Sequence, residues 1–172
     1  DGISVTINAE TSTIKIIDSS ANYKAFSCQD SILGSNASKT YYNLWLSGTG
    51  SGPFYINNPN TYNDIKIDPG LDVRFQLAKI HTVSSFTAIG TEENHIIINN
   101  DGSGPQQFLL SKLSGVVTCN YLDISNSSAV GGAEWYAGEN SIDRENNDGW
   151  IFTSFPSVSP SVSESPSISP SI

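Results

Sequence analysis

A run of oxygen-bearing side chains near the carboxyl end is the strongest candidate for chemistry in the sequence. It consists of Asp143, Glu145, Asn147 and Asp148, followed by Gly149. Carboxylate and amide oxygens at this spacing resemble a calcium loop, but the bidentate Glu of an EF-hand is missing at its usual distance. The stretch is therefore either an incomplete calcium site or a solvated acidic turn. We expect the acidic turn and no cofactor, with calcium as the one ion that these residues could hold.

Residues that could perform catalysis are few and scattered. His81 and His95 are the only histidines and are too isolated for a zinc site. The local pattern predicts His81 in a turn and His95 at the start of a strand. The sequence has no G-x-S-x-G motif and no phosphate-binding loop. We therefore expect no catalytic residues, and the protein is not predicted to be an enzyme.

The two cysteines, Cys28 and Cys119, allow at most one disulfide. Cys119 follows an apolar column of the repeat described below, which favours a small buried side chain. A bridge between Cys28 and Cys119, with Cys28 beside the stack, is the alternative. Both interpretations are open at the level of sequence.

Glycans are the modification that the sequence suggests. Asn36 in Asn36-Ala37-Ser38 and Asn126 in Asn126-Ser127-Ser128 are N-glycosylation sequons. Serines also alternate through the carboxyl-terminal tail, where they are candidates for O-glycosylation. These are Ser157, Ser159, Ser161, Ser163, Ser165, Ser167, Ser169 and Ser171.

Short β-strands must position these residues. Apolar residues recur along the sequence at a fixed step of about 21 residues, which is within the range of solenoid repeats. Each rung is an i, i+2 pair, which is strand periodicity. Such a repeat predicts a solenoid whose coils stack and share one core. One ladder runs Phe54, Phe75, Ile96, Val117 with partners Ile56, Leu77, Ile98, Cys119; the other runs Leu44, Ile65, Phe86 with partners Leu46, Ile67, Ala88, and slips by one to Phe108 and Leu110.

Two flanking segments do not follow this fixed step. Residues 1–20 predict two alternating strands, which either cap the open end of the solenoid or pair with a neighbouring copy. From Pro156 the sequence becomes rich in Ser and Pro, which favours an extended or polyproline II path. We expect the apolar residues of both segments to take part in assembly. They are Ile3, Val5, Ile7, Ile14 and Ile16, and Val158, Val162 and Ile168.

An exposed aromatic residue supports a different interpretation. Trp45 lies between the inward residues Leu44 and Leu46 and should therefore point outward. With Tyr41 and Tyr55 it could form a flat platform for sugar rings.

Composition narrows the partners and the compartment. The net charge of −9 and the isoelectric point near 4.4 disfavour binding to nucleic acid or to an anionic membrane surface. No long apolar run predicts a transmembrane helix. The chain has no Met, so we expect either a mature product after signal-peptide removal or a fragment of a longer protein. A Lys-poor, acidic, Ser- and Asn-rich chain is typical of extracellular or cell-surface proteins.

The carboxyl-terminal half carries a resemblance to a known family. Four stretches are similar to the last coil and cap of right-handed parallel β-helix modules, the pectate-lyase-like solenoids of secreted and cell-surface bacterial proteins. They are Tyr121–Ser127, Gly131–Ala133, Trp135–Ala137 and Gly149–Phe152. The same fold houses pectin-degrading lyases, which bind calcium with clustered carboxylates and use a basic residue to abstract a proton. This chain departs from that pattern, because it offers only Arg74 and Arg144 and no recurring Asp.

Together these patterns predict an all-β protein: a short right-handed parallel β-helix of about 21 residues per coil, with N-terminal strands and an extended tail. The expected divisions are N-terminal strands at 1–22, coils at 23–128, an aromatic cap at 129–155 and the Ser/Pro-rich tail at 156–172. We expect a non-catalytic extracellular structural protein that assembles with copies of itself into a filament or surface array and carries glycans. The alternative is a carbohydrate-binding or adhesin module of a larger surface protein.

Overall fold

The structure is a computed structural model that describes residues 11–27 and 38–156. This part of the chain is all-β, with sixteen strands and no helix, so none of its elements is a helix that could cross a membrane. The strands are β1 (Thr13–Asp18), β2 (Lys24–Phe26), β3 (Thr40–Gly48), β4 (Phe54–Ile56), β5 (Thr61–Ile67), β6 (Asp72–Phe75), β7 (Ile80–Ala88), β8 (Ile96–Asn100), β9 (Phe108–Lys112), β10 (Val116–Thr118), β11 (Leu122–Ile124), β12 (Ser127–Gly131), β13 (Glu134–Tyr136), β14 (Ile142–Asp143), β15 (Asn147–Asp148) and β16 (Trp150–Ile151).

The described strands form three sheets, and the strand pairs within them are parallel. The first sheet has the order β1-β3-β5-β7-β9-β12-β15, the second β2-β4-β6-β8-β11-β14, and the third β10-β13-β16. The chain leaves each sheet, contributes a strand to another and returns one strand further along. This all-β, parallel arrangement is compatible with the expected β-solenoid.

The long strands of the first sheet bend in the middle. In β5, Tyr62 and Ile65 are both buried, while Asn63 and Asp64 between them both face outward. The same buried-outward-outward-buried pattern occurs in β3 and β7. A straight strand would alternate strictly, so two adjacent outward residues mark a corner at which one strand turns to cover a second face. At this corner Asn63 Nδ2 donates to Asn43 Oδ1 at 3.0 Å.

The expected alignment of these bent strands is confirmed. Leu44 pairs with Ile65 and Ile65 with Phe86, while Leu46, Ile67 and Ala88 form the parallel column. The predicted slip to Phe108 and Leu110 is wrong, because β9 pairs with the beginning of β7. Leu110 therefore lies beside His81 and not beside the Phe86 to Ala88 end.

The ladder expected from Phe54 is also wrong. Phe54 pairs with Val73 instead of Phe75, and Val73 pairs with Ile98. Leu77 is only half-buried, outside the strands. The reason is that the loops between these strands differ in length, so a fixed step cannot hold along the second sheet. An i, i+2 apolar pair identifies an inward-facing strand but not its neighbour.

After β7 the first sheet divides. β9 continues beside residues 80–82 of β7, whereas the third sheet begins beside the far end of β7, where Ile89 bridges Asn120. The chain between β9 and β10, residues 113–115, is exposed. One bent strand is thus replaced by two short strands on two faces, and Val117 lies in the third sheet, with Cys119 directly after its first strand.

The N-terminal strand β1 and the strands of the predicted aromatic cap both continue the parallel pairing. In β1, Ile14 lies beside Leu44 and Ile16 beside Leu46, although this offset is longer than the step that aligns β3 with β5. At the other end β13 and β16 stack Trp135 and Trp150, whose ring centroids are 5.3 Å apart. The stacking therefore continues as far as Ile151. The expected boundary at 128 falls inside β12, and residues 129–151 extend the sheets.

The inward columns form one continuous core. It includes Leu44, Ile65, Phe75, Ile98 and Leu122, each fully buried. Burying one such side chain contributes about 1.5–3 kcal/mol relative to exposure, so the stacked columns are the main favourable term in folding. The core extends to the last strands through Trp135 and Trp150.

Candidate assembly edges

The first edge is the outer side of β1, the terminal strand of the first sheet. Gly50 N donates to Asp18 O and Asn43 N donates to Ser12 O, so alternate backbone groups of this strand face β3. The backbone groups of Thr13, Lys15 and Ile17 face away from β3. No described strand pairs with that side. Strands with an open side are templates for another strand.

The side chains of β1 alternate as an edge strand requires. Ile14 and Ile16 are half-buried against the core, whereas Ile17 is 68% exposed. Of the predicted assembly residues, Ile14 and Ile16 lie in the described chain. The others lie outside the described residues: Ile3, Val5, Ile7, Val158, Val162 and Ile168.

The second edge is formed by β14, β15 and β16, the terminal strands of the three sheets in the opposite direction. Each is very short, with two residues. Asp143, Glu145 and Asp148 are exposed here, so this edge is acidic. The two edges differ in sequence and charge, since the first carries the exposed Lys15.

The calcium candidate lies on this second edge and is hydrogen-bonded within itself. Asp143 Oδ1 accepts from Glu145 N at 3.0 Å and from Asn147 Nδ2 at 2.7 Å. Asn147 Oδ1 accepts from Ser127 N, and Asp148 Oδ2 accepts from Gln107 Nε2. Among the residues that the structure describes, no group of three or more His, Cys, Asp or Glu side chains is placed to hold a metal. The oxygens are used to fold the turn.

An asparagine ladder runs across the turn beside the sequon residue Asn126. Asn126 Nδ2 donates to Asn99 Oδ1 at 3.0 Å, and Asn146 Nδ2 donates to Asn126 Oδ1 at 2.8 Å. Asn126 and Asn146 both have positive φ, of 53° and 56°, which Asn tolerates better than most residues. The nitrogen to which an N-glycan would be attached is thus used in the ladder of the folded chain. Asn36 and the tail serines lie outside the described residues.

Both arginines are neutralised by adjacent carboxylates. Arg74 contacts Asp72 and Arg144 contacts Asp123, each with an Nη2 to Oδ2 distance of 2.9 Å. Hydrogen bonding to these carboxylates raises the pKa of both guanidinium groups above their ordinary value. Each guanidinium group is thus held in its charged form by the carboxylate beside it.

The aromatic platform does not form as expected. Both Lys15 and Lys66 lie over the ring of Trp45, with their Nζ atoms at 3.3 Å and 4.1 Å from its centroid. Tyr41 is buried and stacks on Tyr62, and Tyr55 belongs to the second sheet. These three rings therefore do not form one flat stacking surface for a sugar.

His81 is the main buried polar residue that sequence reasoning misplaced. It lies in β7, is fully buried and packs edge-on against Phe75 at 4.9 Å. Neither ring nitrogen has a hydrogen-bond partner among the described residues. Desolvation by burial lowers the pKa of His81 to about 3. Val83, two residues after His81, could have indicated this burial. Because alternate residues of a strand face the same side, the inward Val83 places His81 inside and Ile80 outside.

Cys119 is buried beside the third sheet, and within the described residues its thiol forms no disulfide. Desolvation raises the pKa of this thiol to about 12, which suppresses the reactive thiolate. Its proposed disulfide partner, Cys28, lies outside the described residues, so the bridge stays a prediction.

A cleft marks the place where the first sheet divides. It has a volume of about 410 Å³, and its lining includes Ser84, Ser85, Lys112, Val116 and Thr118. Lys112 Nζ donates to Ser84 O at 2.8 Å across it. The cleft was not predicted from the sequence. The one indication of it is that Ser114 and Gly115 interrupt an apolar run.

No family model matches the chain, and no curated protein and no solved structure matches it either. The resemblance to bacterial β-helix modules therefore stays an expectation, and function must be argued from the geometry of the chain itself.

Proposed function

We propose that this protein is an extracellular structural subunit that assembles end to end into a filament or surface array and performs no catalysis. The three sheets are, in this proposal, the faces of one short right-handed β-helix. The single observation that carries the proposal is the pair of unlike parallel edges at opposite ends of the first sheet. A contact between two unlike surfaces does not close on itself unless a rotation returns it to the start, so it propagates as an open filament.

Charge and strand direction both support contact between the two ends. The first edge carries Lys15, whose ammonium lies over Trp45 of β3, and the second carries the exposed Asp143, Glu145 and Asp148. Opposite charges steer the two ends together and disfavour contacts between like ends. Stacking in this way continues the parallel ladder of the first sheet from one copy into the next, with no change in the direction of the strands. Glycans on the Ser-rich tail would then lie along the outside of the filament.

The test removes one backbone donor from the first edge. The N–H of Ile17 faces away from β3, so Ile17→Pro leaves the β1–β3 pairing intact while blocking a strand added from outside. Ile17→Thr keeps the N–H and is the matched control. We expect light scattering to show large assemblies for the natural chain and for Ile17→Thr, and small particles for Ile17→Pro.

The same variants separate assembly from capping by the chain's own N-terminal residues. If residues 1–10 of the same chain cover the first edge, Ile17→Pro lowers the melting temperature and leaves particle size unchanged. That result, or assembly of Ile17→Pro at the natural level, would contradict end-to-end stacking through β1.

A further inference from the structure

We infer that the cleft at the division of the first sheet binds the Ser/Pro-rich tail of the same chain, with Glu164 beside Lys112 and with Val158 and Val162 on the apolar rim. This inference concerns the flank of the molecule and does not depend on filament formation. Three observations carry it: the nature of the cleft, the place where the described chain ends, and the charges on the two sides.

The cleft offers the groups that an extended peptide needs. The recorded pairing of β9 with β7 stops at Thr82, before Ser84 and Ser85, and the Ser84 carbonyl accepts a lysine side chain. Around this backbone lie the hydroxyls of Thr87 and Thr118. A segment rich in Ser, with its own hydroxyls and carbonyls, is a suitable partner for such a lining.

Exposed apolar residues occur both at the cleft and near the end of the described chain. Eight large apolar side chains are exposed in the described residues, among them Ile89, Val116 and Phe155. Ile89 is 55% and Val116 is 43% exposed, and both line the cleft. Exposed large apolar side chains that line a cleft favour a surface that another segment covers.

The tail begins next to the cleft. Phe155 packs against Tyr136, with ring centroids 5.1 Å apart, and Tyr136 is the strand partner of Thr118 in the cleft lining. The described chain therefore ends beside β13, the strand that pairs with β10 at the border of the cleft. The exit of the chain at this place favours its own tail over the tail of another copy.

The reach of the tail fits the position of Lys112. Glu164 lies eight positions after Pro156, and in a polyproline II path this segment spans about 25 Å. Thr118 lies six positions after Lys112, a distance of at most ~20 Å along the chain. Glu164 can therefore lie beside Lys112 while Val158 and Val162 pass over the rim.

The charges of the two sides match. Among the described residues that line the cleft, Lys112 is the one with a charged side chain. In residues 157–172 the one charged side chain is that of Glu164. A single pair thus fixes the register of a segment that is otherwise repetitive. Moving the tail by one period of the Ser/Pro repeat would place Pro160 or Ile168 opposite Lys112, and neither carries a carboxylate.

The test is zero-length carbodiimide crosslinking of the full chain, read by peptide mass spectrometry. An equal mixture of unlabelled and ¹⁵N-labelled protein distinguishes links within a chain from links between chains. We expect a Lys112–Glu164 link in which both peptides carry the same label. The Lys24–Asp18 ion pair, at 3.6 Å, is the internal positive control.

Two outcomes would overturn the inference. Absence of the Lys112–Glu164 link while Lys24–Asp18 is linked would show that the tail does not bind in the cleft. Links that mix the two labels would show that the occupant is the tail of another copy. Glu164→Gln should abolish the link, and a chain ending at Pro156 should show faster amide hydrogen exchange at Ser84–Thr87. Unchanged exchange at those residues would also contradict the inference.

Discussion

At the scale of single residues, the polar side chains that were candidates for metal binding or catalysis form hydrogen bonds and ion pairs within the fold. The Asp143 and Asn147 oxygens accept hydrogen bonds inside and beside their own turn, and Arg144 binds Asp123. The sequence favoured the acidic turn, because ligand spacing was incomplete. The sequence did not predict the burial of His81. A search for alternating apolar residues does not identify a polar residue at an inward position.

Acid should destabilise the protein through His81. The pKa is lowered to about 3 in the folded chain, whereas an unfolded histidine has a pKa near ~6.5. The unfolded state therefore binds the extra proton between these values, and stability falls as the pH drops from about 6.5 towards 3, by at most ~1.4 kcal/mol per pH unit. Urea unfolding at several pH values measures this slope.

The matched variant for this prediction is His81→Leu. It removes two buried nitrogens that have no hydrogen-bond partner in the described part of the chain, so stability at neutral pH should be equal or higher. The slope of stability against pH on the acidic side of neutrality should become shallower than that of the natural chain. An identical slope in the two proteins would show that other groups cause the acid sensitivity.

Calcium should not stabilise the chain. The carboxylates of Asp143 and Asp148 already accept hydrogen bonds, and an ion bound at these oxygens would have to break them. We expect the same melting temperature in excess calcium and in excess chelator. A rise with calcium that Asp143→Asn removes would contradict the acidic-turn interpretation.

At the scale of elements, prediction succeeded where the connections between strands have equal length. The number of residues from β3 to β5 equals the number from β5 to β7. Leu44, Ile65 and Phe86 were therefore aligned correctly. It failed in the second sheet, where loop lengths vary and apolar pairs do not specify their neighbours. The corner itself was not predicted, because two adjacent outward residues look like a break in a strand.

Close stacking of β1 on β3 should depend on Gly48. Its φ is +129°, and a Cβ at this position would collide with the carbonyl oxygen of Asp18 in β1. Gly48→Ala should therefore lower the free energy of unfolding, by about 1–3 kcal/mol or more. Chemical denaturation measures the loss.

Gly104→Ala is the control for that substitution. A Cβ at Gly104 meets no atom within 4 Å, and the change should alter stability by less than about 0.5 kcal/mol. Equal effects of the two substitutions would contradict the close approach of β1 and β3 at Gly48.

At the scale of the whole molecule, the parallel sheets have a direction and two unlike ends. The all-β, parallel character could be predicted, because i, i+2 apolar pairs at a regular step are typical of stacked strands. The ends could not, because pairing of β1 and of β14 to β16 depends on contacts between residues far apart in sequence. We therefore locate the proposed function at these ends.

Electron microscopy of the purified chain tests end-to-end assembly most directly. The first sheet has seven strands, and at ~4.8 Å per strand each copy should occupy at least about 34 Å along the axis. We predict fibres with an axial repeat of this size or somewhat larger, lost in Ile17→Pro and kept in Ile17→Thr. Discrete single particles at concentrations where the chain is fully folded would contradict the account.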